Sequence, residues 1–308
     1  MAIYWGEKRY YSLDHYLRQT YGRKLYKISL NAGMTCPNRD GTCGNRGCIF
    51  CSTGGSGDFA SDKDLTITAQ LDEGRAQAAR KYPSSSYIAY FQAYTNTYAP
   101  ISYLRKVFTE AIRHPDVEIL DIATRPDCLG SEVLALLAEL NRIKPVWIEL
   151  GLQTIHPESA DFIRRGYALP VFDQAVKNLR KLHIPVIVHT ILGLPGETVE
   201  QMLDTVRYLN TQDIQGVKFQ LLHILEQTDL AAYYREHSFP LPDMEEYFEI
   251  VGSCLCTLRP DIVVHRLTGD GPKALLIAPL WTGNKRHVLN QMQAYLKKHD
   301  IWQGKALQ

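Results

Sequence analysis

The sequence predicts an α/β fold, a partial (β/α)6 TIM-like barrel over residues 1–225 followed by a C-terminal α/β extension over residues 226–308. Three observations predict it. Six short β-rich runs alternate with longer helical patterns, which is the signature of parallel βαβ units rather than of a sandwich. Polar and glycine-bearing stretches fall where those runs end, as functional groups do at the C-terminal ends of barrel strands. With 45% hydrophobic and 22% charged residues among 308, the chain can bury a full core as one large domain or a domain with an appendage.

The chain opens on a basic segment, residues 1–27, in which Lys8, Arg9, Arg18, Arg23, Lys24 and Lys27 face only Asp14 from Lys8 onward. A matching bias closes it, with Lys285, Arg286, Lys297, Lys298 and Lys305 against Asp300. Two basic ends are a candidate phosphate-binding surface; the alternative is ordinary solvated helix faces. No run reaches the ~18 apolar residues of a transmembrane helix and none reads as a signal peptide, so no membrane partner is expected. The expected location is cytoplasmic, where thiols stay reduced and free to bind metal.

The first strand, Tyr26–Leu30, runs into a cysteine-rich loop, Cys36 to Cys51. Cys48-Ile-Phe-Cys51 supplies a close pair, and Phe50 is an apolar neighbour that shields a metal centre from water. Cys36 and Cys43 compete as a third thiol. Cys36 is favoured because Pro37 fixes the backbone after it, whereas Cys43 lies in a flexible stretch with Gly41, Gly44, Asn45 and Gly47. Three thiolates suit a [4Fe–4S] cube with one iron left open. All four cysteines would suit structural zinc, and spacing alone leaves both readings open. A disulfide framework is the weakest option, since seven cysteines is an odd number.

The second strand, Tyr87–Gln92, ends in a polar stretch whose Thr95, Asn96 and Thr97 are candidates to bind an amino or carboxylate group, or else to cap the next helix. The third, Val117–Ala123, ends in Thr124-Arg-Pro-Asp-Cys128, with Thr124 placed among the candidate ligand contacts and Cys128 read as a small buried residue. Ser131 then precedes a leucine-rich helical pattern. The fourth, Val146–Gly151, leads to Gln153 and Arg165, candidates for ribose and carboxylate contacts. Pro170 precedes the next helix. The fifth, Val186–Leu192, carries His189 and ends in Gly193-Leu-Pro-Gly196, where glycines let backbone approach a ligand. The sixth is Val217–Leu222.

From Glu226 the alternation weakens, and the extension is expected to close the barrel or cover its mouth. His265, Arg266 and Asp270 follow a β-like run at Asp261–Val264 and, with Trp281, are candidate substrate residues. The competing reading is an Asp-Gly turn with a surface arginine. Cys254 and Cys256, two apart in a helical pattern, point to different faces and do not make a second cluster.

With these residues in view, the chain resembles the radical S-adenosylmethionine superfamily over roughly residues 15–225. Its three-cysteine motif is expanded, with eleven residues between Cys36 and Cys48, and Gly193-Leu-Pro-Gly-Glu197 follows the fifth strand. Cys36-Pro-Asn-Arg-Asp-Gly41, Phe91-Gln-Ala-Tyr-Thr-Asn-Thr-Tyr-Ala99, Ala123-Thr-Arg-Pro-Asp127 and Leu150-Gly-Leu-Gln-Thr154 look like the YhcC/YtqA branch, related to Elongator-type enzymes. The resemblance implies a partial barrel of the radical SAM type, a [4Fe–4S] cluster on Cys36, Cys48 and Cys51, and S-adenosylmethionine as cofactor, with Cys43 outside the ligand set. Thr95, Asn96, Thr97, Thr124, Gln153, Arg165, His189 and Gly193 become its cofactor contacts, although Thr95–Thr97 stand where a Gly-Gly-Glu motif is usual. The resemblance also implies a reductant such as flavodoxin or ferredoxin, and tRNA as partner, with a wobble-uridine side chain converted from carboxymethylaminomethyl to aminomethyl. Radical chemistry on a small metabolite or a protein, and a zinc-stabilised RNA-binding module without catalysis, are the competing readings.

Overall fold

Strand-forming residues in this chain pair in register around one axis, and the alternation of side chains across them decides what the barrel contains. The computed structural model describes residues 4–55, 57–79, 86–269 and 271–308. In chain order the elements are α1 (Leu13–Tyr21), β1 (Tyr26–Leu30), α2 (Ile67–Ala79), β2 (Tyr87–Phe91), α3 (Ile101–Arg113), β3 (Val117–Thr124), α4 (Ser131–Leu140), β4 (Val146–Gln153), α5 (Pro157–Phe162), α6 (Leu169–Lys181), β5 (Val186–Leu192), α7 (Val199–Thr211), β6 (Gly216–Leu221), β7 (Ile224–Leu225), α8 (Asp229–His237), α9 (Met244–Thr257), β8 (Val263–Arg266), β9 (Leu276–Ala278) and α10 (Lys285–Lys298). The main sheet runs β1-β2-β3-β4-β5-β6-β8, with every pairing parallel. It is the curled half-barrel that the sequence predicts, with each of the six expected strands within two residues of its observed ends.

The seventh strand comes from the extension. β8 adds beside β6, and its other edge is bridged by the N-terminal segment, where Val264 N–H donates to the Tyr11 carbonyl at 2.7 Å. An otherwise open sheet edge is thereby covered. The extension is accordingly continuous with the barrel, and Tyr247, Val251 and Met292 belong to the same apolar cluster as Leu30, Phe91 and Leu150. The two-stranded β7–β9 ribbon and α8 sit at the mouth, where Leu230 N–H donates to the Ile49 carbonyl in the cysteine loop.

Local signals set the helix ends. Ser12 caps α1 and Gly22, at φ 69°, ends it. Reciprocal capping boxes open α7 (Thr198 with Gln201) and α9 (Asp243 with Glu246). Pro170 lies in the first turn of α6, one residue inside the helix, where its missing N–H costs nothing.

The barrel interior has three layers. Ile88, Ile119, Trp147 and Ile187 form an apolar floor sealed by Leu17 of α1 and by Leu25. Two residues further along each strand stand Lys27, Tyr90, Asp121, Glu149, His189 and Lys218, a layer of ionisable groups. Two residues further again, Ser29, Gln92, Ala123, Gly151, Ile191 and Gln220 line an open cavity at the mouth.

The two basic ends meet beside β8. Gln303, fully buried, accepts from Tyr11 N–H and donates to the Arg259 and Ile262 carbonyls, and Arg9 pairs with Asp300 at 2.8 Å. The expected phosphate surface is nevertheless depleted. Lys27 is inside the barrel, Arg18 and Lys24 pair with Asp14, Arg23 pairs with Glu118, and α1 lies at the end opposite the mouth. No helix among the described residues is long and apolar enough to cross a membrane.

Because Leu17 is only 2% exposed under the barrel floor, Leu17→Ala is expected to destabilise the protein by about 2–5 kcal/mol. Urea denaturation of parent and variant measures it, and a change below about 1 kcal/mol would show that α1 does not seal the floor.

Candidate active site

The expanded cysteine spacing is absorbed by a loop that folds back on itself. Arg39 N–H donates to the Cys36 carbonyl, Cys43 N–H to Pro37 at 2.7 Å, and Gly47 N–H to Asn38 at 2.7 Å. Gly47 has φ 73°, and a Cβ there would lie 2.9 Å from the Arg39 side chain, so the return needs glycine. Asn38 anchors it by donating to the Arg164 carbonyl at 2.7 Å and lying 3.6 Å from Cys48 Sγ. Cys51 N–H then closes a turn onto the Cys48 carbonyl at 3.0 Å.

This folding brings Cys36, Cys48 and Cys51 onto one wall of the mouth cavity, a space of about 360 Å³. Cys43 is exposed and lines a separate hollow with Cys128, Thr97 and Tyr98. Among the described residues no three His, Cys, Asp or Glu side chains converge tightly enough to hold a single metal ion. Three thiols on one wall of a cavity suit the larger cluster, which takes one thiolate at each of three corners. The adjoining Cys51 thiol and burial push the Cys48 thiol well above its ordinary value, while Arg125 opposes them. Loading a cluster therefore displaces a proton.

The strand ends divide the predicted contacts. Thr95, Thr124, Gln153, Arg165 and His189 line the cavity. Gln153 holds a left-handed φ of 69° at the end of β4. Arg165, 4% exposed, donates from Nε to the Tyr167 carbonyl and from Nη1 to the Leu152 and Thr154 carbonyls and lies over the Tyr167 ring, so it braces the wall. Asn96, Thr97 and Gly193 are not among the lining residues. The Asn96 amide ties β2 to β3 by donating to the Phe91 and Ala123 carbonyls, and Thr97 bonds Thr124 and the Cys128 carbonyl. Gly193, at φ 80°, turns the chain against Leu221 and Pro242.

The candidate substrate residues separate as well. Val217 pairs with Val264 and Lys218 with Arg266, leaving His265 as the extra residue of a bulge. His265 packs on Trp147 at 5.6 Å with its Nε2 3.1 Å from Gln215 Oε1, down at the apolar floor, while Arg266 lines the cavity. Trp281 packs on Tyr247 and donates to the Pro242 carbonyl, away from the cavity. Asp270 lies outside the described residues.

The cavity floor is the charged layer, which the motif reading missed. Glu149 accepts from Lys27 at 2.6 Å, Lys218 at 2.5 Å, Tyr90 at 2.7 Å and His189 at 2.6 Å, while Lys27 also bonds Asp121 at 2.5 Å. Burial and the Glu149 charge push Asp121 up to about 7. Burial pushes Lys218 down to about 7, against the pull of Glu149. Burial opposes ionisation of Glu149, but the two lysines and His189 hold its carboxyl well below the usual range. The signal was present in the sequence, since each of these strands carries at least one ionisable side chain among apolar residues.

The cysteine-lined mouth of a parallel half-barrel defines an enzyme class, and comparison with known proteins identifies it. The profile described as the Radical SAM superfamily matches residues 41–209, and that described as the Radical_SAM C-terminal domain matches residues 214–298. The chain belongs to the radical SAM superfamily. Within it the chain falls in a YhcC/YtqA-like branch. It is 41% identical to YtqA of Bacillus subtilis (strain 168) over 302 residues, 98% of this chain and 94% of that protein. It is 25% identical over 59% of its length to a tRNA uridine(34) acetyltransferase of Methanocaldococcus jannaschii, of which it spans 33%. Its fold matches Elp3 of Methanocaldococcus infernus with a TM-score of 0.67 at 16% identity, over 90% of this chain and 65% of that one.

The cofactors of this enzyme are a [4Fe–4S] cluster and S-adenosylmethionine, which also decides between iron–sulfur and zinc. When bound they supply a 5′-deoxyadenosyl radical that removes hydrogen from substrate, after an electron from an external reductant. The protein holds, orients and keeps water from the reacting groups. The donor set fits, with Cys36, Cys48 and Cys51 proposed to hold the cluster and Thr95, Thr124, Gln153 and His189 on the cavity wall available to the cofactor.

Two outcomes are expected here. After anaerobic reconstitution, Cys48→Ala should lose the cluster absorbance and most of the iron, while Cys43→Ala keeps both; equal loss in the two would refute this ligand set. The second concerns His189, held down to about 4 chiefly by burial and then by Lys218, with Arg266 also lowering it and Glu149 opposing. Between the unfolded value near 6.5 and about 4, the unfolded chain binds a proton that the native His189 does not, so this group's contribution to stability falls as pH falls. Asp121, raised to about 7, contributes in the opposite sense over this window, so parent and variant are compared at each pH. In the cluster-free protein, the stability difference between parent and His189→Gln should shift by about 2–3 kcal/mol against the parent from pH 6.5 to 4. Parallel denaturation curves across that range would contradict it.

Proposed function

We propose that this enzyme acts on the wobble uridine of tRNA, converting a carboxymethylaminomethyl side chain to aminomethyl: hydrogen is removed from the methylene between nitrogen and carboxylate, the carbon radical left behind returns one electron to the oxidised cluster and becomes an imine, and water hydrolyses that imine to the aminomethyl group and glyoxylate. The observation that carries this reading is the match to proteins named tRNA uridine(34) acetyltransferase, which falls on more than half of this chain but only a third of theirs. It favours a shared radical half and gives no support for acetyl transfer here. The mouth cavity suits a base and its side chain, with thiols on one wall, an arginine at its base and the exposed ring of Phe59 at its rim. An exposed aromatic of this kind is what single-stranded RNA bases stack upon. Flavodoxin or ferredoxin is the proposed electron donor.

The test compares modified nucleosides from tRNA of the source organism and of a strain lacking this gene. The deletion should accumulate the carboxymethylaminomethyl nucleoside at the expense of aminomethyl and its methylated derivative, by mass spectrometry. An unchanged wobble-uridine profile would overturn the assignment.

A further inference from the structure

We infer that Arg266 forms a carboxylate subsite at the floor of the mouth cavity, which takes the acid of the side chain being processed. This deepens the tRNA reading and rests on it for the identity of the acid. Four arginines line the cavity. Arg39 donates to the Cys51 and Ser52 carbonyls, Arg125 to Asp127 and the Arg165 carbonyl, and Arg165 to three carbonyls of its own wall. The Arg266 side chain, at the end of β8, has no hydrogen bond or ion pair among the described residues.

The acids of the cavity are committed elsewhere. Glu149 is saturated by two lysines, Tyr90 and His189, and both Asp58 oxygens take the Ser52 hydroxyl at 2.9 Å. The charge of Arg266 bears on Tyr90, His189 and Lys218, which places it over the charged layer. When all are ionised, Lys27, Lys218 and Arg266 stand against only Asp121 and Glu149. The surplus positive charge is that of the half-buried guanidinium itself, which calls for an anion, and its planar fork matches a carboxylate with two parallel hydrogen bonds. Gln220, two residues beyond Lys218, lines the same space and offers an amide donor. The bulge at His265 is what turns Arg266 to this position.

Two acids are available, that of the substrate side chain and that of S-adenosylmethionine, and binding measurements on the full cluster-loaded chain separate them. Anticodon stem-loops carrying carboxymethylaminomethyl or aminomethyl at the wobble uridine are titrated anaerobically into parent, Arg266→Gln and Arg266→Lys, with labelled S-adenosylmethionine in parallel. The parent should bind the acid-bearing RNA roughly 10- to 100-fold tighter than the amine. Arg266→Gln should erase that preference while keeping its S-adenosylmethionine affinity, and Arg266→Lys should restore it in part. A preference that survives in Arg266→Gln, or weakened cofactor binding with the RNA preference intact, overturns the assignment, as does a parent that does not discriminate. If neither RNA binds, the tRNA reading fails on its own, and N-methylglycine titrated by calorimetry decides the subsite, with undiminished binding to Arg266→Gln counting against it.

Discussion

Glu149 accepts hydrogen bonds from groups on β1, β2, β5 and β6, so a single carboxylate on β4 joins five of the seven strands across the inside of the barrel. A buried ion group of this kind is expensive to desolvate and adds little net stability over a well-packed apolar layer. What it confers is position. It separates the apolar floor sealed by α1 from the cavity above, and it orients His189, Tyr90 and Lys218 without leaving their polar atoms unpaired. Removing one partner strands the others as buried charges, so the layer acts as a unit.

Above that layer the walls are rigid for a different reason. Arg165, Asn96 and Asn38 spend their donors on backbone carbonyls at the ends of strands and loops, replacing the regular ladder where it stops. The cysteine loop rests on one of these anchors, since Asn38 reaches the chain beyond α5 and holds the turn that returns Cys48. A hydrogen-removing enzyme must keep its reactive species from water and from its own side chains, and braced walls serve that need better than mobile ones.

Much of the architecture was legible along the chain. Six β-rich runs and their helical spacers, with Ser131 and Pro170 at two helix starts, depend on near neighbours, and the runs map onto observed strands. The thiols were legible too, because ligand chemistry restricts which side chains can serve. Less legible was what each polar residue at a strand end would do. Thr95 and Asn96 are adjacent in sequence, yet one lines the cavity and the other ties β2 to β3. The extension, where the alternation weakens after Glu226, is expected to close the barrel or cover its mouth, and the particular strand by which it joins the sheet, β8 beside β6, shows only in the pairing.

The sequence by itself determined the class of fold and the family, since periodicity and motif order are local properties of the chain, whereas cysteine spacing alone left zinc and iron–sulfur both open. Tertiary structure decided which ionisable residues share a layer, which arginine of the cavity has no side-chain partner among the described residues, and that His265 and Arg266, neighbours in sequence, serve opposite ends of the interior. The physical reason is that facing and pairing depend on register between strands far apart in the chain. A single bulged residue resets that register for everything after it.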